Sequence, residues 1–183
     1  MNSLYTLPTR AVLGGREYPH RTAWQDMVKL LTLLEREDKP APLRWQIGLF
    51  YFFLEEIPPE QTQAAMEYLS SFLTAGQPGK PGPKRFDWQL DAAAIIADVN
   101  GVSGREMRCE PVHWWTFLSL FHSIREGQLS ALVNIRDKLR RGQRLEGWEQ
   151  EYFAAHRDQV LLRTGDDPQK QRLNALVNGW AGS

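Results

Sequence analysis

The sequence predicts a mainly α-helical bundle, with one small β-hairpin near its N-terminus, in a single domain over residues 1–183. Apolar residues recur at the spacing of an amphipathic helix along most of the chain. The pair Gly14-Gly15 separates two short alternating segments, which is typical of a hairpin turn. A stretch rich in proline and glycine, residues 76–85, breaks both helix and strand and predicts a linker or loop between two helical halves.

The first half is predicted to contain the hairpin, over residues 11–20, and helices over residues 22–75. Thr22 and Gln25 have the spacing of a capping box at the start of the first helix. Residues 43–54 carry an aromatic cluster with strand-like propensity, but their length and their helical surroundings favour a buried helix. Pro59 suits the first turn of the next helix.

The second half is predicted to hold central helices over residues 86–141 and a helical tail over 142–183. Asp87 is placed to cap a helix that runs to about Val99, with Asn100-Gly101 as its stop. Pro111 is expected to start the next helix, and residues 130–141 form an amphipathic one. In the tail, residues 146–162 predict one helix. A short helix follows, which begins at Asp167-Pro168 and carries Leu173, Leu176, Val177 and Trp180.

The amino-acid composition limits which partners and which cellular compartment the protein can have. The 22 basic and 22 acidic residues cancel, so the chain as a whole is not drawn to nucleic acid or to an acidic membrane. Cys109 is the only cysteine, which excludes an internal disulfide and fits a reducing compartment. The N-terminus lacks the pattern of a signal peptide, and the longest apolar run, residues 47–54, is too short to span a bilayer. We therefore expect a cytoplasmic protein without a membrane partner.

Motifs for catalysis or cofactor binding are not found. The sequence contains no phosphate-binding loop, dinucleotide fingerprint, zinc-protease motif or nucleophile elbow. Its four histidines are scattered, and the adjacent acids Glu55-Glu56 would diverge on a helix. We expect a binding protein without catalytic residues, metal or cofactor. A small enzyme with a site near His113 and Cys109 is an alternative hypothesis.

A basic segment, residues 136–144, is the best candidate for nucleic-acid binding. Clustered cations can contact phosphates, and the candidate interaction residues are Arg136, Lys138, Arg140 and Arg141. Asp137 interrupts the cluster, however, and positive charge at a helix C-terminus also complements the helix dipole. A nucleic-acid-binding or regulatory helical module is therefore the second hypothesis.

The tripeptide His113-Trp114-Trp115 has two interpretations. Both indoles can lie in a core, since each buries a large apolar area. Adjacent side chains on a helix diverge, so one indole can instead face a groove or a partner, where tryptophan is favoured. The sequence leaves both interpretations open.

An aspartate-led helix, a His-Trp-Trp block and a later arginine-bearing helix follow one another in the second half of the chain. The segments are Phe86-Asp87, Asp91-Ala92-Ala93-Ala94-Ile95-Ile96-Ala97, His113-Trp114-Trp115-Thr116-Phe117-Leu118 and Ile135-Arg136. With this signature, the region from Val12 to Asp137 resembles the tail-assembly chaperones of long-tailed phages that infect Gram-positive hosts. The signature positions are thus Asp87, Asp91, His113, Trp114, Trp115 and Phe117.

This resemblance implies a binding role. Such chaperones are thought to coat the long, helical tape-measure protein and to keep it soluble until the tail tube forms around it. It implies the tape-measure protein or another tail component as partner. Self-association into a homo-oligomer is expected as well, because a long client needs several copies. Amphipathic helices could cover apolar faces of the client.

Overall fold

A computed structural model of the chain describes residues 6–36, 38–77 and 83–162. The described residues confirm a mainly helical fold with one two-stranded antiparallel hairpin. Backbone contacts divide the chain into a first unit, residues 1–82 with 96–124, and a second unit, residues 83–95 with 125–183. The helix predicted from Asp167 and the central part of the predicted linker lie outside the described residues.

The hairpin of the first unit matches its prediction. β1 (Arg10–Leu13) pairs with β2 (Arg16–Pro19), and the first residue of β1 lies opposite the last of β2. Its two-residue turn requires positive φ at both central positions, and Gly14 and Gly15 have φ of 55° and 84°. Tyr18 of β2 is buried, so the inward face of the ribbon belongs to the core of this unit.

The first helix, α1 (Trp24–Glu35), does not have the capping box predicted from Thr22 and Gln25. Ala23 occupies the N-cap position, and no described side chain caps the helix there. The amide N–H of its first residue donates instead to the carbonyl of Val112, at 3.1 Å. A distant backbone segment has thus replaced the local cap, which sequence spacing alone does not indicate.

The aromatic segment forms a helix, as predicted, but not a fully buried one. α2 (Ala41–Phe52) is followed by a 3₁₀ turn (Pro59–Gln61), where the predicted proline begins the turn, and then by α3 (Thr62–Leu73). The side chain of Phe50 is 86% exposed. On the opposite side of α2, a Cβ atom added to Gly48 would lie 3.2 Å from a leucine side chain of α1, so the two helices approach closely.

The helix predicted from Asp87 begins and ends later than expected. α4 (Ala92–Ser103) is preceded by a turn, in which the Asp87 carboxylate accepts from the N–H groups two and three residues ahead, each at 2.8 Å. Asp87 therefore caps a turn and not α4 itself. The predicted stop at Gly101 is inside the helix, and the left-handed residue that follows α4 is Gly104, with φ of 71°.

The next helix, α5 (Trp114–His122), begins three residues after Pro111, where it was predicted to begin. A 3₁₀ turn (Met107–Cys109) and an extended segment precede it. His113 takes the N-cap position because it pairs, in an isolated antiparallel bridge, with the residue before α1. This pairing holds residues 112–113 extended and delays the start of the helix.

The second unit contains α6 (Gln128–Arg140), α7 (Gly147–Ala155) and α8 (Arg157–Val160). The predicted amphipathic helix is confirmed as α6, and Gly127 forms its N-cap. The prediction of a single helix over residues 146–162 is wrong, because the helix is interrupted. It breaks at His156, whose φ of −125° and ψ of 35° leave the helical region, and α8 starts at the following residue.

Candidate functional site

His113 acts as a connector in the first unit. Its Nδ1 accepts from the amide N–H of Trp115 at 3.1 Å and so caps α5. Its Nε2 donates to the carbonyl of Pro8 at 2.9 Å, which holds the segment before β1 against the helix start. Burial lowers the pKa of His113, against the opposing effect of the Pro8 bond, so the neutral imidazole that this arrangement needs is favoured.

The two indoles that follow His113 cap the C-terminus of α3. The Nε1 of Trp114 donates to the carbonyl of Leu73 at 3.0 Å, and the Nε1 of Trp115 donates to the carbonyl of Phe72 at 2.9 Å. The last carbonyls of a helix have no N–H partner within it. The Trp114 bond supplies one to the Leu73 carbonyl, whereas the Phe72 carbonyl also accepts from the amide N–H of Ala75 at 3.1 Å. The His-Trp-Trp block therefore supports one helix start and one helix end.

The exposure of the two indoles differs. Trp114 lies in the core of the first unit, and Trp115 lies at the edge of that core. Trp114 is 1% exposed, while Trp115 is half-buried. Phe117 is fully buried and stacks on Trp24, with ring centroids 4.5 Å apart. The signature residues of this block thus serve the packing of the first unit.

Asp91 and Arg136 form a buried ion pair in the second unit. The carboxylate is completely buried and the Arg136 residue is 8% exposed. The contact is bidentate, with nitrogen–oxygen distances of 2.7 and 2.8 Å. The carboxylate also accepts from the amide N–H of Asp87 at 2.9 Å. Two segments that the resemblance picked out separately therefore meet in one interaction.

Arg136, predicted as a candidate interaction residue of the basic segment, is instead buried and paired within the second unit. In addition to Asp91, its guanidinium donates to the carbonyls of Arg85, Gln159 and Val160, at 3.0, 2.7 and 3.0 Å. Five hydrogen bonds match the five donors of a guanidinium. Because every donor is paired, the hydrogen bonds offset the free-energy cost of burying the charge. Helical periodicity in the sequence does not show these partners.

The other candidate interaction residues of the basic segment are largely paired with acids of the same unit. Lys138 contacts both carboxylate oxygens of Glu149, at 2.7 and 2.8 Å, and Arg140 pairs with Asp137. The Lys138 bond lowers the pKa of Glu149, so this buried carboxyl stays ionised. Arg141 is exposed. The segment therefore carries much less unpaired positive charge than its sequence suggests.

An exposed apolar stripe runs along α2 in the first unit. Leu43, Ile47 and Phe50 follow one another at spacings of four and three residues, and Leu54 comes four residues later, just after the helix. Phe50 is 86% exposed, Leu54 57% and Leu43 42%. The sequence did not predict this α2 stripe, because the aromatic run favours a buried helix. The helical spacing of Leu43, Ile47 and Phe50, of which Ile47 is half-buried, is the signal that could have indicated it.

A second apolar feature is a groove between α6 and α7, which we call the α6–α7 groove. It has a volume of about 420 Å³, and its lining residues are Gly127, Gln128, Ala131, Leu132, Ile135, Trp148 and Tyr152. Trp148, in the first turn of α7, is 56% exposed. A cavity of this size falls in the range of ligand sites, which is about 300–1,000 Å³.

His20 is the most strongly shifted histidine of the described residues. It is 4% exposed, stacks on Phe52 with ring centroids 4.5 Å apart, and lies 2.9 Å from the hydroxyl of Tyr68. Burial lowers its pKa to about 4. His20 is therefore a neutral core residue at physiological pH.

Within the described part of the chain, no group of three or more histidine, cysteine or acidic residues is arranged to hold a metal ion. Cys109 is exposed. Across residues 6–36, 38–77 and 83–162, no helix combines the length and the apolar character that crossing a bilayer requires. Comparisons with protein-family models, with curated proteins and with solved structures found no match to this chain.

Proposed function

We propose that this chain is a tail-assembly chaperone of a long-tailed phage. It binds the tape-measure protein in the cytoplasm of the host cell and keeps it soluble until the tail tube assembles. The resemblance of its His-Trp-Trp block and its Asp-led helix to such chaperones suggests the function. The observation that carries the proposal is the exposed α2 stripe.

The α2 stripe suits a helical client. Apolar residues at alternating spacings of four and three form the seam along which two helices pack in a coiled coil. Phe50 projects an almost fully exposed ring into this seam. A buried aromatic side chain contributes strongly to binding, and an exposed one is unfavourable until a partner covers it. A long client helix with the same apolar spacing would bury Leu43, Ile47 and Phe50 together.

The signature residues have a different role in this proposal. Helix ends are the hydrogen-bond partners of His113, Trp114 and Trp115. Arg136 is paired with Asp91. They hold the helices in place but do not offer groups to a client. Binding is assigned to exposed apolar side chains, and the basic segment is not proposed as a nucleic-acid site because Lys138 and Arg140 are paired.

Co-expression with the tape-measure protein encoded nearby tests the proposal. The unmodified chain should co-purify with the tape-measure protein and raise its soluble fraction. Phe50→Asp should reduce the co-purified amount at least tenfold, because it places a charge in the apolar seam. Val102→Asp is the matched control, since Val102 is also an exposed apolar residue on a helix of the first unit. It should leave co-purification unchanged.

The outcomes separate the function from the surface. If the unmodified chain neither co-purifies with the tape-measure protein nor keeps it soluble, the function is wrong. If it does both and Phe50→Asp has no effect while the variant remains folded, the function stands and the α2 stripe is not the client surface. Sedimentation of the purified chain measures the self-association that coating a long client requires.

A further inference from the structure

The α6–α7 groove offers an apolar surface of the second unit. Leu132 and Ile135 form its base and are 1% and 0% exposed, whereas Trp148 stands at its edge and is 56% exposed. Gly127 and Ala131 contribute little bulk on the α6 side. Together they form a trough beside an aromatic edge, and its walls are mainly apolar.

The C-terminal part of the sequence has the pattern that fits such a trough. Leu173, Leu176, Val177 and Trp180 follow the i, i+3, i+4, i+7 spacing of one apolar helix face. The residues between them are Asn174, Ala175, Asn178 and Gly179, so the large apolar side chains form a single stripe that needs cover. An indole at its end adds a large apolar area that is unfavourable in water.

The described chain ends close enough to the groove for this stripe to reach it. α8 contacts α6, and the carbonyl of Val160 bonds to Arg136, the residue after Ile135 of the groove base. The described residues end at Leu162, two positions later. The ten residues 163–172 can span up to about 33 Å, and the thirteen residues of α6 are only about 20 Å long.

The charges beside the α6–α7 groove also favour the C-terminal segment as its occupant. Glu126 and Glu151 are exposed and adjoin the groove residues Gly127 and Tyr152 in sequence. Lys170 and Arg172 immediately precede the apolar stripe of the C-terminal segment. Acidic residues beside the groove and basic residues beside the stripe would attract one another at short range.

We propose that residues 163–183 dock intramolecularly as an amphipathic helix in the α6–α7 groove. Leu173, Leu176 and Val177 lie over the apolar base, and Trp180 packs against Trp148. The C-terminal segment is thus the cover of the second unit. This inference does not depend on the proposed function, because it concerns a contact of the chain with itself.

Hydrogen–deuterium exchange of the full chain tests the contact. Amides of residues 172–181 should exchange at least tenfold more slowly than in a free peptide of the same sequence. Trp148→Ala should remove that protection, because the indole is one side of the docking site. Phe50→Ala is the matched control, since it removes an even more exposed aromatic ring from the first unit. It should leave exchange in residues 172–181 unchanged.

A reciprocal variant protects the test against misfolding. Trp180→Ser should increase the exchange of α7 and of the first half of α6, while α1 and α3 keep their rates. A carbodiimide cross-link between Lys170 and Glu126 or Glu151 is also expected. Free-peptide exchange rates at residues 172–181 in the full chain would overturn the proposal. Protection that survives Trp148→Ala in a folded protein, or that appears only at high protein concentration, would overturn it as well.

Discussion

Replacing Arg136 by Met tests how the second unit is held together. The substitution keeps most of the apolar stem of the side chain and removes all five guanidinium donors. The Asp91 carboxyl group, which has no exposed area, is then left in the interior without a cationic partner. The carbonyls of Arg85, Gln159 and Val160 lose the Arg136 donor at the same time.

The expected cost is large for a single substitution. Removing one partner of a buried ion pair costs about 3–5 kcal/mol, because the remaining charge is left without compensation. A whole domain is typically stable by only about 5–15 kcal/mol. Arg140→Met is the matched control, since Arg140 lies one turn later on α6 and makes a partly exposed pair with Asp137. It should cost about 1 kcal/mol or less.

A double variant separates burial of charge from loss of contacts. Asp91→Leu combined with Arg136→Met removes both charges, and apolar replacements of buried pairs are often close to neutral. We expect the double variant to be more stable than Arg136→Met alone.

Amide exchange under native conditions gives the free energy of opening for α6 and α8, and α1 and α3 serve as internal references. The reasoning is refuted if Arg136→Met lowers the opening free energy of α6 by less than about 1 kcal/mol, or by no more than Arg140→Met does.

Three further predictions concern the first unit. The pKa of His20 is lowered from 6.5 to about 4, so the unfolded chain binds the proton more readily. Stability should fall by up to about 3 kcal/mol as the pH drops from 6.5 to 4, and His20→Phe should remove this part of the pH dependence, measured by urea unfolding at each pH. Trp114→Phe should cost about 1–3 kcal/mol, and more than Trp115→Phe, because the carbonyl that Trp115 caps also accepts a backbone N–H. Equal costs in urea unfolding would argue against this account. Gly101→Ala inside α4 should raise stability by about 0.5–1 kcal/mol, whereas Gly104→Ala, at φ of 71°, should lower it by about 1 kcal/mol. For both glycines no described atom outside the local backbone lies within 4 Å of the added Cβ, so a melting-temperature shift of the same sign for both would place the end of α4 elsewhere.

The sequence predicts the helices and the hairpin because their signals are local. Gly14 and Gly15 define the hairpin turn, and apolar periodicity is enough for α1, α3 and α6. The start of α1 was predicted less well because the partner of its first N–H comes from a distant residue. The start of α1 bonds to Val112. No pattern around Thr22 could have indicated that partner.

The candidate site was predicted less well than the fold. Arg136 has the position of a solvent-facing residue on α6, yet its partner Asp91 lies 45 positions earlier in the chain. Phe50 belongs to an aromatic run that suggested burial, yet its ring is almost fully exposed. In both cases the tertiary environment of a side chain decides its role, and a helical period does not contain that information.

The residues that carry the resemblance and the residues proposed to bind are different sets, for a physical reason. Trp114, Trp115 and Arg136 have their polar groups satisfied by partners far away in sequence, so replacing them damages the fold whatever the protein binds. A side chain that binds a partner must instead have apolar area that its own unit leaves exposed. Phe50 and Trp148 meet that condition, at 86% and 56% exposure. Substituting Phe50 should therefore weaken binding, and substituting Trp148 should weaken docking, each with little loss of stability. Substituting the signature residues should reduce stability and, with it, binding and docking.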